Sequence, residues 1–334
     1  MIVRLLPRLC LALSLAALSM VGAVADTGDK PFPVNVIRIV AGAAGTPGDI
    51  LWRIVANELG QAEGWRVIVE NKPGAMQTIA ATEVLKQPAD GYHMLSIALP
   101  TAVAPALLPN LGFRLDSDFA PVIRLATADH VLVVHPSVPA TSLPQFVSLL
   151  KSEPDKLTFS SGGFGTPAHL AGELFKLQAG VRATHVPYSA LPRAIADLLN
   201  GTNQYQFITP LPVLDLIAAG KLRALAVTGA TRLAALKEIP TVIEEGFPSL
   251  VIQDWFGLLV KSGTPDEVVL RLNEAINRVL TKPEVREKIV KLGAAPAGGS
   301  ASEFGEFFRA QLAYWATAVK ETGIKMHQGA RGPD

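Results

Sequence analysis

The chain has 334 residues, with 30 Lys or Arg against 29 Asp or Glu and a formal net charge of +1. So even a balance offers nucleic acid no basic footprint, and a single cysteine excludes disulfide stapling. Aromatic residues make up 6%, which argues against an aromatic-lined carbohydrate cleft.

Residues 1–25 have the pattern of a secretory signal. Arg4 and Arg8 form a basic start, Leu9–Val21 is apolar, and Ala23-Val24-Ala25 is a small-residue cleavage site before Asp26. The apolar core is short for a bilayer span of about 20 residues, and no stop-transfer charges follow. Cleavage and a periplasmic location are expected. Cys10 leaves with the signal, which also removes thiolate chemistry. The mature chain keeps 28 basic and 29 acidic residues and is long enough for two domains.

Candidate strands and helices then alternate. Val36–Val40 is expected to be a strand, and Asp49–Leu59 a helix burying Ile50, Ile54 and Val55. A strand at Arg66–Val69, a helix near Ile79–Lys86 and a strand at Tyr92–Ala98 follow. Val131–His135 is apolar and β-branched. Leu157–Phe175 then carries a β-prone run, a glycine-rich loop and a helix in succession. Thr166 stands at that helix's N-cap and Pro167 in its first turn, with Leu170, Leu174 and Leu177 expected inward. A helix at Pro192–Leu199 and strands at Tyr205–Ile208 and Ala224–Val227 complete an α/β alternation with largely parallel sheets. The C-terminal part is helical. Thr264–Glu267 and Ser300 with Glu303 fit capping boxes ahead of the stripes Val268, Leu272, Ile276, Val279 and Phe304, Phe308, Leu312, Trp315, Val319. No internal repeat is visible.

Four strand-to-helix turns could hold a ligand: Ala41–Asp49, Asn71–Thr78, Ser160–Thr166 and Pro187–Pro192. In open parallel sheets ligands sit beyond the carboxyl ends of the strands. Free N–H groups at helix starts, next to glycines, form an anion site without a cationic side chain. In the first turn Thr46, Pro47 and Asp49 can make a T-x-x-D helix start. Each turn taken alone also fits an ordinary αβ connection. His169, in the first turn of its helix, either faces the ligand or hydrogen-bonds nearby backbone.

Sharper motifs fail. Gly163–Ala168 fits G-x-G-x-x-A, yet Thr184-His185-Val186 stand where the dinucleotide fingerprint needs an acid. There is no G-x-S-x-G elbow. His93, His130, His135, His169, His185 and His327 show no metal-ligand spacing, and no metal or cofactor is expected. No nucleophile–base pair is evident, which favours binding over catalysis.

The blocks Pro73-Gly74-Ala75, Ala89-Asp90-Gly91-Tyr92, His169–Phe175, His185-Val186-Pro187-Tyr188, Gly220–Thr228, Ile239-Pro240-Thr241-Val242 and Trp255–Leu259 occur in one order. In these, from about Pro33 to Lys325, the chain resembles the Bug-type extracytoplasmic solute receptors of tripartite tricarboxylate transporters. The resemblance implies an α/β periplasmic-binding-protein (Venus-flytrap) fold. Two domains would be joined by crossing strands near Val131–His135 and Ile252–Val260, with a carboxylate in the cleft between them. Domain 1 would comprise 26–134 and 253–328, domain 2 would comprise 135–252, and 329–334 would be a tail. The ligand-binding residues expected are Ala44, Gly45, Thr46, Asp49, Met76, Gln77, Thr78, Thr101, Ser161, Gly163, Phe164, Gly165, Thr166, His169, Tyr188, Ile208 and Thr209.

The chain departs from the family where ligand is held. Gly42 and Gly48 stand for an aromatic residue and a threonine, Met76 and Gln77 for glycines, and Ile208 for an aspartate. These changes suggest a more apolar or aromatic carboxylate. The expected function is a monomeric periplasmic receptor that delivers a small organic anion to membrane transporter subunits. The alternatives are a secreted α/β enzyme (dehydrogenase or hydrolase) and a sensor for a membrane signalling partner. Protein recovered from the periplasm is expected to begin at or near Asp26, and N-terminal sequencing that returns Met1 contradicts this.

Overall fold

The computed structural model describes residues 32–324 apart from Pro109 and Ser189; the expected signal segment and the tail lie outside the described residues. A first run comprises β1 (Ile37–Ala41), α1 (Pro47–Glu63), β2 (Val67–Asn71), α2 (Thr78–Leu85), β3 (His93–Ala98), α3 (Leu99–Leu107) and β4 (Phe119–Asp129). A second run follows with β5 (Val131–Val134), α4 (Leu143–Ser152), β6 (Thr158–Ser161), α5 (Pro167–Ala179), β7 (Thr184–Pro187) and α6 (Leu191–Leu199). It closes with β8 (Tyr205–Ile208), α7 (Leu214–Ala218) and β9 (Arg223–Val227). The chain ends in β10 (Gln253–Lys261), α8 (Asp266–Thr281), α9 (Pro283–Lys291), β11 (Ala295–Pro296) and α10 (Ala301–Thr322).

Two sheets result, in the orders β11-β4-β10-β3-β1-β2 and β7-β6-β8-β5-β9. In each, three strands run parallel (β2-β1-β3 and β7-β6-β8), and the next strand (β10 or β5) is antiparallel to both of its neighbours. The lobes built on these sheets therefore share one topology. The antiparallel strand of the first lobe comes from the late segment, and that of the second directly follows β4. This is a repeat of topology rather than of sequence along the whole lobe.

Side-chain pattern explains most of the elements. Helix α1 buries Leu51, Trp52, Val55, Ala56 and Leu59, while Ile50, expected inward, is 36% exposed. In α5 the buried face is Leu170, Ala171, Leu174 and Phe175, and Leu177 turns outward. Strand β4 escaped detection because Pro121 lies inside it and proline demotes a run from strand status. The pairing with β10 shifts register at that point, Leu258 opposing Ile123 and Leu259 opposing Pro121. The Val122 carbonyl left out of step accepts a hydrogen bond from buried Asn273 at 2.8 Å. Ser300 and Glu303 form the expected capping box. Thr264 does not, because its hydroxyl donates to the Lys261 carbonyl at 2.7 Å and Pro265 occupies the N-cap of α8.

The largest apolar cluster runs through both lobes, from Leu95, Trp255 and Phe304 to Phe146, Phe159, Phe175 and Tyr205. Burying each such side chain contributes about 1.5–3 kcal/mol. A smaller cluster lies beneath α6 and α7 and holds Val131, Val133, Leu198, Ile208, Val213 and Val227. Buried Glu58 of α1 meets Lys288 at 2.9 Å and Lys282 at 3.3 Å, tying the N-terminal run to the C-terminal helices.

The chain passes between sheets at 129–131 and again between Thr228 and Ile252. Thr228 holds both passages. Its hydroxyl accepts the His130 N–H at 2.9 Å and donates to the Ile252 carbonyl at 2.6 Å, and its N–H donates to the His130 carbonyl at 2.8 Å. The buried Asp254 carboxyl stands 3.9 Å from His130 Nε2, and Asp129 accepts from Gln253 at 2.7 Å. Burial pushes Asp254 up to about 8 and His130 down to about 4. Burial raises Asp129 as well.

The two buried groups bias stability in opposite senses. Native Asp254 keeps a proton that the unfolded chain releases above its ordinary 3.8, so stability falls as pH rises toward 8. Native His130 stays neutral where the unfolded chain protonates, so stability falls as pH drops from 6.5 toward 4. Above 6.5 His130 is neutral in both states and the carboxyl sets the slope. Asp254→Asn is expected to flatten the loss of thermal stability between pH 6.5 and 8, read as Tm against pH. An unchanged slope contradicts the assignment.

Candidate functional site

The loops that leave the carboxyl ends of β1, β2 and β3 have their counterparts in those that leave β6, β7 and β8, and Met76 of the β2–α2 loop lies against Gly165 of the β6–α5 loop. The β1–α1 and β6–α5 loops are local twins, GTPGD at 45–49 and GTPAH at 165–169. Gly45 and Gly165 have φ values of 74° and 72°, a left-handed conformation in which a side chain costs about 1–2 kcal/mol. Thr46 and Thr166 follow in extended geometry at the N-cap. Their hydroxyls donate backward, Thr46 to the Ala43 carbonyl at 2.8 Å and Thr166 to the Gly163 carbonyl at 2.7 Å. Neither caps its helix. The loop is closed from the other side. The Gly45 N–H donates to Asp49 Oδ2 at 2.9 Å, and the Gly165 N–H to His169 Nδ1 at 3.1 Å. The expected T-x-x-D start is thus corrected to a bond between the glycine N–H and the third helical residue.

That bond decides what Asp49 and His169 do. Asp49 also accepts from Asn71 Nδ2 at 2.8 Å and from Arg53 at 3.0 and 3.1 Å. Burial alone raises its carboxyl, but the hydrogen bonds from Arg53, Asn71 and Gly45 outweigh burial and hold it below the usual range. It is an ionised structural acceptor inside its loop. His169 accepts at Nδ1, which puts its proton on Nε2. Burial, and then Lys176, lowers it to about 4. Of the two roles open to His169, the structure places its Nδ1 on backbone.

The tertiary structure does bring a serine and a histidine together. Ser161 Oγ lies 2.7 Å from Nε2 of His185, whose ring packs at a tilt against His169 at 4.2 Å and meets Phe164 edge-on at 5.2 Å. His185 Nδ1 is buried with no partner among the described residues, so no carboxylate orients the ring. Burial, His169 and Lys176 lower it to about 3. Ser161 Oγ also accepts the Gly163 N–H at 3.1 Å. The pair braces the loop and lacks the orienting acid of a nucleophile–base pair.

The β2–α2 loop is unusual. Ala75, Met76 and Gln77 are three successive non-glycine residues at positive φ, 45°, 55° and 70°. Such residues cost of order 1–3 kcal/mol each and persist only where surroundings fix them. Here the Gln77 N–H donates to the Gly74 carbonyl at 3.0 Å, and the Thr78 hydroxyl to the Ala75 carbonyl at 2.8 Å. Buried Thr101 on α3 donates its hydroxyl hydrogen to Gln77 Oε1. Met76 reaches the opposite lobe, where a Cβ on Gly165 would stand 3.0 Å from its Cε.

The remaining expected residues divide. Ala44, Gly45 and Thr46 are exposed at the loop tip, and Gly163, Phe164, Thr166 and Thr209 are half-buried. The half-buried Tyr188 spends its hydroxyl on Asp197 at 2.7 Å and receives Asn203 Nδ2 at 2.5 Å. Ile208 packs into the cluster beneath α6 and α7. Sequence reasoning passed over Arg53 and Asn71, although the Asp49–Arg53 spacing of four was legible as a helical pair. His185 joins the site through pairing of β6 with β7, which no local pattern encodes.

Residues 51–324 match the tripartite tricarboxylate transporter family receptor. The chain belongs to that family. Protein BugT of Bordetella pertussis is 31% identical over 308 residues, which span 91% of this chain and 94% of BugT. Rpa4515 of R. palustris, solved with adipate, is 31% identical with a TM-score of 0.76, covering 88% of this chain and 99% of that one. MatC of Rhodopseudomonas palustris, solved with malate, is 29% identical with a TM-score of 0.74, covering 86% and 100%. The two-sheet architecture is that of periplasmic binding proteins. Family and neighbours are solute receptors, and the enzyme alternative falls with that finding.

The twin loops make a stability prediction. His169→Leu strands the buried Gly165 N–H and is expected to cost about 1–3 kcal/mol in urea unfolding. His169→Asn keeps an acceptor at that place, as Asp49 does in the twin, and is expected to lose less. Equal losses contradict the role of the Nδ1 bond.

Proposed function

We propose that this receptor binds a small organic carboxylate between its two lobes in the periplasm and passes it to the membrane subunits of a tripartite tricarboxylate transporter. The observation that carries this is the pair of twin loops at equivalent places in two topologically equivalent lobes, with Met76 beside the first reaching Gly165 of the second. The N–H groups of Gly48 and Asp49, and of Ala168 and His169, precede the first intrahelical bonds, which run from Ile50 to Thr46 and from Leu170 to Thr166. Helix starts of this kind favour an anion. The adipate and malate complexes of the relatives support a dicarboxylate as the first class to test.

In this proposal the lobes act as the two domains of the sequence reading and rotate about the passages at 129–131 and 228–252. Residues from both faces, Ala44, Thr46, Met76 and Gln77 on one side and Phe164 and Thr166 on the other, enclose the ligand. Met76 and Phe164 favour an apolar body behind the carboxylate. Ile208, packed beneath α6 and α7, does not contribute to that preference. The receptor works as a monomer.

Thermal unfolding of residues 26–334 with malate, adipate and benzoate, each beside its methyl ester, tests the anion site. At about 100 times Kd the bound acid adds about 2.7 kcal/mol, and the matching ester adds nothing. Equal stabilisation by acid and ester contradicts an anion site.

A further inference from the structure

Several of the loop N–H groups near the helix starts are already engaged: Gly45 by Asp49, Gly163 by Ser161, Gly165 by His169, Gln77 by Gly74. The side chain of Gln77 is not. Its oxygen receives the hydroxyl hydrogen of Thr101, whose oxygen in turn accepts the Ala98 N–H at 3.3 Å. With Oε1 fixed in this way, both amide hydrogens lie on the other side of the group. Among the described residues Nε2 donates to no protein acceptor, and Gln77 is half-buried rather than free in solvent. The amide rests over Gly42, where a Cβ would come within 3.1 Å of Nε2 and 3.0 Å of Cγ. Gly42 is therefore the space that Gln77 occupies, at the junction of the β1–α1 and β2–α2 loops.

A turn that needs only to reverse the chain is satisfied by glycine at positive φ. Met76 and Gln77 carry side chains there instead, at φ values of 55° and 70°. We propose that Gln77 sets ligand specificity in this receptor, donating its Nε2 hydrogens to a carboxylate oxygen of the ligand, and that Thr101 is the positioning residue that fixes the amide's orientation. This rests on the carboxylate-receptor function proposed above.

Calorimetric titration with malate, adipate and benzoate identifies the tightest acid for the wild type, and the same acid is then titrated into variants. Gln77→Met keeps the volume without donors and is expected to weaken Kd at least about tenfold. Gln77→Glu turns donors into a like charge and is expected to weaken it more. Thr101→Val frees the amide to rotate and costs about three- to tenfold, while Thr101→Ser, which keeps the hydroxyl, stays within about twofold. Melting curves confirm folding of each variant, and Gln77→Met serves where Gln77→Glu does not fold. Wild-type binding with both Gln77 variants within about twofold overturns the specificity role and leaves the receptor function intact. A wild type that binds none of the three acids overturns the dicarboxylate or aromatic-acid function, and the role of Gln77 with it.

Discussion

The hydroxyl of Thr228 holds the only places where the described chain passes from one sheet to the other. The first lobe takes its antiparallel strand β10 from the segment that follows the second lobe, so the chain crosses between the sheets twice, at 129–131 and near 252. The placement of the candidate site follows from this double crossing. It joins two sheets of equal topology, and Met76 beside one meets Gly165 beside the other. It also places polar groups, buried His130 and Asp254 and half-buried Asp129, at the end of the β4–β10 ladder. A threonine suits that position because one small side chain can accept and donate at once.

The twin loops show how two unrelated side chains perform one task. A left-handed glycine turns its N–H inward, and an acceptor three residues past the N-cap must meet it. Asp49 does so as an ion, supported by Arg53 and Asn71. His169 does so as a neutral ring, packed at a tilt against His185 and edge-on to Phe164. The first solution needs surrounding donors to offset burial of charge, whereas the second needs only a dry, aromatic surround. With these loop bonds made internally, the proposed receptor function assigns recognition to the remaining helix-start N–H groups and to side chains beside them. That explains why strain is tolerated at Ala75–Gln77: Met76 spans the gap and Gln77 is fastened to Thr101.

Much of the fold was legible because its signals are local. Strand β8 falls at Tyr205–Ile208 as the run of apolar and β-prone residues predicts, and the Ser300–Glu303 box starts α10. Helix α3 was not legible because it is apolar on all sides and carries two prolines, which erases any period. Strand β4 was hidden by Pro121, whose missing N–H is absorbed by a register shift visible only against β10. The inward face of α1 was misread by one residue, and Ile50 gave way to Leu51 and Trp52, because the sheet beneath chooses the buried stripe.

By itself the sequence determined the alternation of strands and helices, the glycine-threonine-proline helix starts and the family to which they belong. These depend on φ preferences and on spacing within a few residues. Only the tertiary structure decided which polar groups are available to a ligand. Whether Asp49, His169, Ser161 or Tyr188 has an unused lone pair or hydrogen depends on partners such as Asn71, His185, Asp197 and Asn203, brought in from distant segments. Hydrogen bonds saturate. A lone pair or hydrogen already spent within its own lobe is not open to a ligand, and which ones are spent is a property of the assembled fold rather than of any stretch of chain.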